Sequence, residues 1–487
     1  MKNVDSPLGL AAKNYPEHLA IISDRARLTY AGLERAVQSA MARFTNVPLK
    51  AGMRVAIFLP NSLEYVICLI AFWRLKITPC LLNTRWPSQL VESAIKDLKC
   101  PYVICAPDIL PTSPGAPFKK INVYDMVNLN VAFEPTKKIF SMSLAQAASV
   151  VFTSGTTAKP KAAVHSFGNH YYNAKGASEN IPVDKNDRWL LSLPLYHVGG
   201  LGIVFRMLLS ASTLVIPSSG TRLIRVIGQH KVTHISVVPT QLMRLFDLPY
   251  NFKVLARLKA ILIGGSAIPD YLIAKSLERK LPIYKTYGLT EMSSQVATTT
   301  FDDAKNGRLG GGVVLPFRQV TIAPDGEILV KGETLFLGYL KNGNLNLPVD
   351  SKGWFKTGDL GYINEQKRLI VNGRKDNMFI SGGENIYPEE IEEKMRLFVE
   401  IRNVLVIPIE DAEYGARPVA FIKSKNKARI RARDLIEHLS GYLPKFKIPD
   451  EFYHWPWKEE QDVSKVNRRQ FSRHFQDNTK DFKKLRN

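Results

Sequence analysis

Short apolar runs recur between helix-period segments, and that alternation most restricts how this chain can fold. The runs Arg54–Phe58 (RVAIF), 213–216 (TLVI) and Ala260–Ile263 (AILI) are too short for helices. They lack a repeating polar face, which is the pattern of parallel strands covered on both sides. Between them, Tyr30–Phe44 and 63–75 carry helical spacing, and 65–73 (YVICLIAFW) reads as a short buried helix or strand. The prediction is an α/β fold: a large N-terminal domain of α/β layers with a β-rich subdomain, followed by a small α+β domain. From about Arg318 the texture changes to short β-like runs at 320–323, 328–331 and 362–371, the first closed by Pro324-Asp325-Gly326. The smaller domain is placed after Arg374, with a strand at 378–380, a turn at Gly382-Gly383 and a helix over 388–398. Pro388 suits the first turn of that helix, with Glu389, Glu390, Glu392 and Glu393 near the positive end of its dipole. The predicted division is therefore 1–374 and 375–487, joined by a short junction.

No apolar run reaches the roughly 18 residues that cross a bilayer, and the first residues (MKNVDSPLGLAAKNYPEH) lack a signal-peptide core. Cys68, Cys80, Cys100 and Cys105 sit among apolar residues without paired spacing. They read as buried free thiols in a reducing cytoplasm. The chain carries 66 basic and 44 acidic residues, a net charge of +22. Part of the excess is local: 423–433 (KSKNKARIRAR) alternates strictly, as the wet face of an edge strand does. The tail from Lys465 onward adds eight cations against two acids. No aromatic residues interleave with these charges to stack bases, so nucleic acid is not an expected partner. The sequence leaves homo-oligomerisation open.

The stretch 151–161 (VFTSGTTAKPK) carries the chemistry. Thr153, Ser154, Thr156 and Thr157 offer hydroxyls and closely spaced N–H groups, Gly155 lets backbone approach a ligand, and Lys159 and Lys161 add charge. Such a loop suits a polyphosphate. It departs from the Walker pattern, because Pro160 stands where that needs glycine. Further on, 262–267 (LIGGSA) ends an apolar strand in paired glycines where a flat purine can lie against backbone. The segment 284–291 (YKTYGLTE) gathers an aromatic ring, a glycine, a hydroxyl and a carboxylate, and Glu291 is a hard oxygen ligand suited to magnesium. Trp354 to Asp359 (WFKTGD) sets a carboxylate after glycine, where it can accept two ribose hydroxyls, and 372–388 supplies Arg374.

In this order the segments resemble the adenylate-forming family of acyl-CoA synthetases, luciferases and peptide-synthetase adenylation domains, over essentially the whole chain. The resemblance implies ATP, Mg2+ and CoA, a mobile small domain and two half-reactions. A carboxylate attacks the α-phosphate of ATP and releases pyrophosphate; a thiol then attacks the acyl-adenylate and releases AMP. Carried over by motif, loop 153–161 would hold the leaving phosphates, while Gly265, Ser266, Ala267, Tyr287 and Gly288 would frame adenine. Thr290 and Glu291 would contact phosphate and magnesium, and Asp359 with Arg374 the ribose. Asp376 matches the hinge, Gly382 and Gly383 the pantetheine path, and Lys465 (in SKVNR) the lysine that bridges carboxylate and α-phosphate during adenylation. Ala158, Ala162 and Ser464 stand where the family has glycine. If Ala158 needs positive φ, its Cβ costs about 1 kcal/mol, which would weaken ATP binding or loop ordering rather than abolish activity.

Four segments narrow the resemblance to o-succinylbenzoate–CoA ligases of menaquinone biosynthesis: 81–86 (LLNTRW), 187–200 (DRWLLSLPLYHVGG), 232–242 (VTHISVVPTQL) and 288–295 (GLTEMSSQ). That acid has one carboxylate to activate and a second to hold unreacted, and an unpaired charge in a pocket is costly. Arg85 is the expected partner of the spare carboxylate, with hydroxyls from Ser236, Thr240, Ser293 and Ser294, while His197 gates or lines the pocket. Gly199 stands where those ligases often carry a hydroxyl. Three other readings stay open: an aryl- or medium-chain-acyl-CoA ligase, an acyl-AMP ligase that loads a carrier protein, and a non-catalytic nucleotide binder.

Overall fold

A computed structural model describes residues 2–107, 109–110, 116–129, 135–136, 138–153, 160–249, 251–266, 268, 270–308, 310–381, 384–425, 428–456, 466 and 468–486. The chain divides into two compact units. The first comprises Met1–Gly265, Arg279–Val320 and Val330–Phe355; the second comprises Ser266–Glu278, Thr321–Leu329 and Lys356–Asn487.

Two large sheets build the first unit. One has eight strands in the order Asn344–Asn346, Gly338–Lys341, Lys161–Ser166, Ala147–Thr153, Thr78–Leu81, Arg54–Phe58, Tyr102–Cys105, Lys119–Asn122. The other has nine: Val313–Val314, Ser294–Thr298, Ile283–Leu289, Ala260–Ile263, His234–Val237, Arg188–Leu190, Thr213–Val215, Leu19–Ile22, Arg27–Thr29. Their central strands pair in parallel, so both faces need cover, and helices supply it. The helix Leu63–Arg74 is buried along its whole length, which resolves 65–73 as helix rather than strand. It and Val198–Ser210 share one continuous apolar core with Val55 and Ile57 of the first sheet and Ile21, Trp189 and Leu214 of the second. The hydroxyls of Ser62 and Thr29 cap Leu63–Arg74 and Tyr30–Phe44 by accepting from Tyr65 N and Gly32 N at 3.2 and 3.1 Å. Where these two helices face each other, Arg74 forks onto Glu34 at 2.6 and 2.7 Å, a buried charge kept by a bidentate partner.

In the second unit the expected single run 362–371 is a hairpin, Phe355–Ile363 with Leu369–Arg374. Arg368 N donates to Asn364 Oδ1 across its turn at 2.8 Å, and Lys367 adopts φ 56°. The sequence-based boundary after Arg374 falls inside this unit rather than at its edge. Lys375 Nζ reaches Asp325 and Glu327 at 2.6 and 2.9 Å, and Gly358 N donates to Glu327 Oε1 at 2.9 Å, so the hairpin is tied to 321–329. Beyond it, Ile401–Asp411, Gly415–Ser424 and Glu451–His454 form a three-stranded sheet. One face packs against Pro388–Met395 and Ala432–Ser440, the other against Phe471 and Phe475 of the helix Arg468–Asp477.

The alternating basic stretch 423–433 is not an edge strand. Gly415–Ser424 is the central strand, paired on both sides, and the stretch leaves it after Ser424 to enter the helix at Ala432. All four cysteines are buried and free. Among the described residues no helix is long and apolar enough to cross a membrane.

Candidate active site

The strands Ala147–Thr153 and Lys161–Ser166 run antiparallel with Thr153 opposite Lys161, flanking 154–159. Ser154, Gly155, Thr156, Thr157 and Ala158 lie outside the described residues. Lys161 Nζ stands 5.2 Å from the centre of the Tyr339 ring, a cation over an aromatic face. The Tyr339 hydroxyl donates to Glu291 Oε1. One tyrosine therefore links the lysine at the foot of the loop to the carboxylate expected to face magnesium. Ala162 lies in regular strand opposite Phe152 and Leu340. It needs no glycine, so that departure from the family pattern is absorbed without strain.

Thr290 and Glu291 occupy a short 3-10 turn whose three carbonyls are all claimed from outside it. His165 Nε2 donates to Thr290 O at 2.7 Å, Phe336 N to Glu291 O at 2.7 Å, and Asn173 Nδ2 to Met292 O at 3.0 Å. The chain leaves the turn through Ser293 and Ser294 at φ 57° and 124°. Non-glycine residues hold such angles only where their surroundings over-determine them. Before the turn, a Cβ on Gly288 would sit 2.0 Å from Ser294 O, so only glycine lets the strands meet there. Among the described residues no three acidic, histidine or cysteine side chains cluster as a metal cage. A magnesium ion at this turn would be held by Glu291 together with nucleotide phosphate oxygens, a donor set suited to that hard cation.

At the end of Ala260–Ile263, a Cβ on Gly264 would lie 2.5 Å from Thr286 Cγ2, whereas Gly265 is needed for its φ of 86°. Ser266 is exposed, Ala267 lies outside the described residues, and Tyr287 is half-buried opposite Ala297. In the second unit Asp359 and Arg374 are register partners, with Arg374 Nη1 2.9 Å from Asp359 Oδ1 and 3.1 Å from Thr357 O. Gly358 at φ 71° makes room for the guanidinium, since a Cβ would meet Arg374 Nη2 at 2.9 Å. Asp376 is exposed in the turn closed by Asn377 N and Met378 N on Arg374 O. Gly382, Gly383 and Lys465 lie outside the described residues.

On the acid side, Arg85 is exposed, and its backbone N donates to Asn83 Oδ1 at 2.9 Å. His197 is exposed at the start of Val198–Ser210, edge-on to the buried Tyr196 with ring centres 4.8 Å apart. Two expected hydroxyls are committed to the core instead. Ser236 accepts from Trp189 Nε1 at 3.2 Å, and Ser293, fully buried, donates to Thr334 O at 3.0 Å. Gly200 is set by packing, as a Cβ there would stand 2.2 Å from Pro194 O, whereas a Cβ on Gly199 would meet only the movable end of the Leu193 side chain, at 2.9 Å.

Arg206 lies outside every motif expected from the sequence. It is buried in Val198–Ser210, stacks over Trp189 at 4.9 Å and donates to Gln295 Oε1. Burial alone pushes its guanidinium down to about 10, and among the described residues no carboxylate pairs with it. Its signal was a lone arginine inside an otherwise apolar helix. A cavity of about 310 Å3 beside Asp187, His234, Lys259 and Tyr284 opens at the opposite, amino-terminal ends of the parallel strands. Ligands of open α/β sheets gather at the carboxyl ends, where the motif residues lie.

The AMP-binding enzyme family matches residues 9–340. The 2-succinylbenzoate–CoA ligase of Bacillus licheniformis is 31% identical over 450 residues, spanning 90% of this chain and 93% of that protein. That of Bacillus pumilus is 32% identical over 451 residues, spanning 90% and 91%. The o-succinylbenzoate CoA synthetase of Bacillus subtilis, solved with the acyl-adenylate OSB-AMP, superposes with a TM-score of 0.85 at 28% identity, covering 97% of this chain and 98% of that one. The same enzyme with ATP and magnesium ion gives 0.84 at 28% identity, covering 96% and 99%. The chain belongs to the AMP-binding enzyme family and, within it, with the acid–thiol ligases that these Bacillus enzymes represent.

Proposed function

We propose that this chain makes o-succinylbenzoyl-CoA from o-succinylbenzoate, ATP and CoA in menaquinone biosynthesis. The observation that carries the reading is the Lys161–Tyr339–Glu291 connection at the foot of the phosphate loop, within a chain similar along its length to ligases of that acid. The aliphatic carboxylate attacks the α-phosphorus, the bond to the bridging oxygen breaks, and pyrophosphate leaves. In the second step the CoA sulfur, having lost its proton, attacks the acyl carbon and AMP leaves.

Lys161 and the hydroxyl loop bind the departing phosphates, with Thr290 beside them. Glu291, together with phosphate oxygens, would hold magnesium, which when bound would supply positive charge against the triphosphate. Gly265, Ser266, Ala267, Tyr287 and Gly288 frame the adenine, and Asp359 accepts the ribose hydroxyls while Arg374 keeps its carboxylate oriented. Lys465 bridges the attacking carboxylate and the α-phosphate; removing a charge-stabilising donor of that kind costs on the order of 10²–10³ in rate. The small domain turns about Asp376 to bring Gly382 and Gly383 to the pantetheine path. For the spare carboxylate, Arg206 is a better partner than Arg85, because a buried guanidinium without an acid of its own gains most from an anion. His197 lines the pocket mouth. Four free buried thiols fit a reducing cytoplasm.

The test follows AMP release and thioester mass with o-succinylbenzoate, benzoate, 4-coumarate and octanoate. Selective thioester formation from the dicarboxylate is expected. Turnover with monocarboxylates alone would keep the adenylation chemistry and discard the substrate.

A further inference from the structure

The strands that flank the phosphate loop carry a buried polar chain whose purpose lies outside their own sheet. Ser149 of Ala147–Thr153, His165 of Lys161–Ser166 and His170 of the helix Phe167–Asn180 are each no more than 1% exposed. The chain ends on a carbonyl, and that fixes its direction. Thr290 O can only accept, so the nitrogen 2.7 Å away, His165 Nε2, carries the proton. A neutral ring then has a lone pair on Nδ1, which faces the Ser149 hydroxyl at 3.4 Å. With its own proton turned there, Ser149 Oγ is free to accept from His170 Nε2, 2.8 Å away. What remains is His170 Nδ1, buried without a partner. In this arrangement it is a bare lone pair, less costly than an orphaned N–H. The reverse direction would strand a proton there and leave His165 Nδ1 without a donor. Burial holds both rings neutral, His165 down to about 4 and His170 also well below its usual range.

We infer that His165 is a positioning residue for adenylation, fixing the Thr290 carbonyl and through it the direction in which Thr290 and Glu291 face the nucleotide. This rests on the reading that Thr290 and Glu291 serve the phosphates and magnesium. The turn needs such a hold, because Ser293 and Ser294 leave it at positive φ and the Thr290 carbonyl otherwise has the local bond from Ser293 N at 3.0 Å, which closes the turn without tying it to the neighbouring strand. His165 lies four residues after Lys161 on one strand, so it sets the spacing between the loop's lysine and the Glu291 turn independently of the Tyr339 link. Neither ring of the pair touches the nucleotide in this scheme.

The experiment compares His165→Leu, His165→Gln and His165→Asn by pyrophosphate exchange with MgATP and o-succinylbenzoate, taking kcat and both KM values. Gln can place an N–H where Nε2 stands; Leu has none, and Asn is too short to reach. Leu and Asn are expected to lose roughly 10- to 100-fold, the scale of a misplaced catalytic group. The loss falls on kcat and the KM for MgATP, with the KM for the acid unmoved, and Gln recovers most of it. Ser149→Ala, which removes only the middle of the chain, is expected to give a smaller loss of the same kind, and it stands in if His165→Leu does not fold. Wild-type kinetics in folded His165→Leu, or equal losses in Leu and Gln, would overturn the inference. Glu291→Gln run alongside separates the two levels: if it leaves MgATP use unchanged, the reading of Glu291 has failed, not the placement of His165.

Discussion

His234 supplies a test of how burial governs stability in the first unit. Its ring is 1% exposed and stacks on Trp189 with centres 4.9 Å apart. Thr233 Oγ1 lies 2.8 Å from Nδ1, and Asp187 Oδ1 is 3.9 Å away with Lys259 Nζ closer to it at 2.7 Å. Burial pushes the imidazole down to about 4 from its usual 6.5; Asp187 opposes that shift, while Lys259 and the buried Arg206 add to it. The neutral ring is therefore preferred in the folded state, and the unfolded chain takes up a proton first as pH falls. The stability contributed is complete above about pH 6.5 and is lost on descent toward 4. At pH 5 the deficit is about 1.5 pH units at 1.36 kcal/mol each, about 2 kcal/mol. Wild type and His234→Phe, which keeps a ring against Trp189, would be unfolded in urea at pH 7.5 and 5 and followed by tryptophan fluorescence. Titrations of groups that do not face this ring are common to the two proteins and cancel. Whatever the offset at pH 7.5, the wild type should lose about 2 kcal/mol more than the variant on going to pH 5. Parallel losses would refute the assignment of a neutral buried ring.

Arg206→Lys and Arg206→Met should raise the KM for o-succinylbenzoate far more than for any monocarboxylate turned over, while Arg85→Ala changes little; the reverse order would return the spare carboxylate to Arg85. Ala162→Gly should not improve ATP use and should lower the unfolding free energy read from urea titration by about 0.5–1 kcal/mol, because the residue already sits in strand and glycine adds only chain entropy. Gly288→Ala should cost roughly 1–3 kcal/mol or more and raise the KM for MgATP, since a Cβ 2.0 Å from Ser294 O must push the Glu291 turn aside. In the second unit, Phe421→Ala should cost about 3–5 kcal/mol, as its ring packs within 6 Å of those of Tyr453, Phe471, Phe475 and Phe482; calorimetry would read the loss.

What could be read from the sequence was whatever one segment decides alone. The helix Tyr30–Phe44 carries its cap in Thr29 and its apolar stripe in its own spacing, so its limits were legible. The α/β layering was too, because strands covered on both faces have no polar side to show. Direction was not legible. Ser236 and Ser293 were visible as hydroxyls, but which way a hydroxyl points is set by a partner far along the chain: Trp189 for one, Thr334 for the other. The stretch 423–433 misled for a related reason. Its charges alternate without a break while the backbone passes from central strand through loop to helix, so one period spans three conformations. Ser149, His165 and His170 show the same limit at the site itself. Each is unremarkable where it stands, and only the pairing of two strands, the return of a helix and a turn 125 positions beyond His165 make them one directed chain. The motif residues name the chemistry because the substrate they are proposed to meet dictates their type. The residues that aim them meet only the protein, so their pattern lies in the folded contacts and not in any window of sequence.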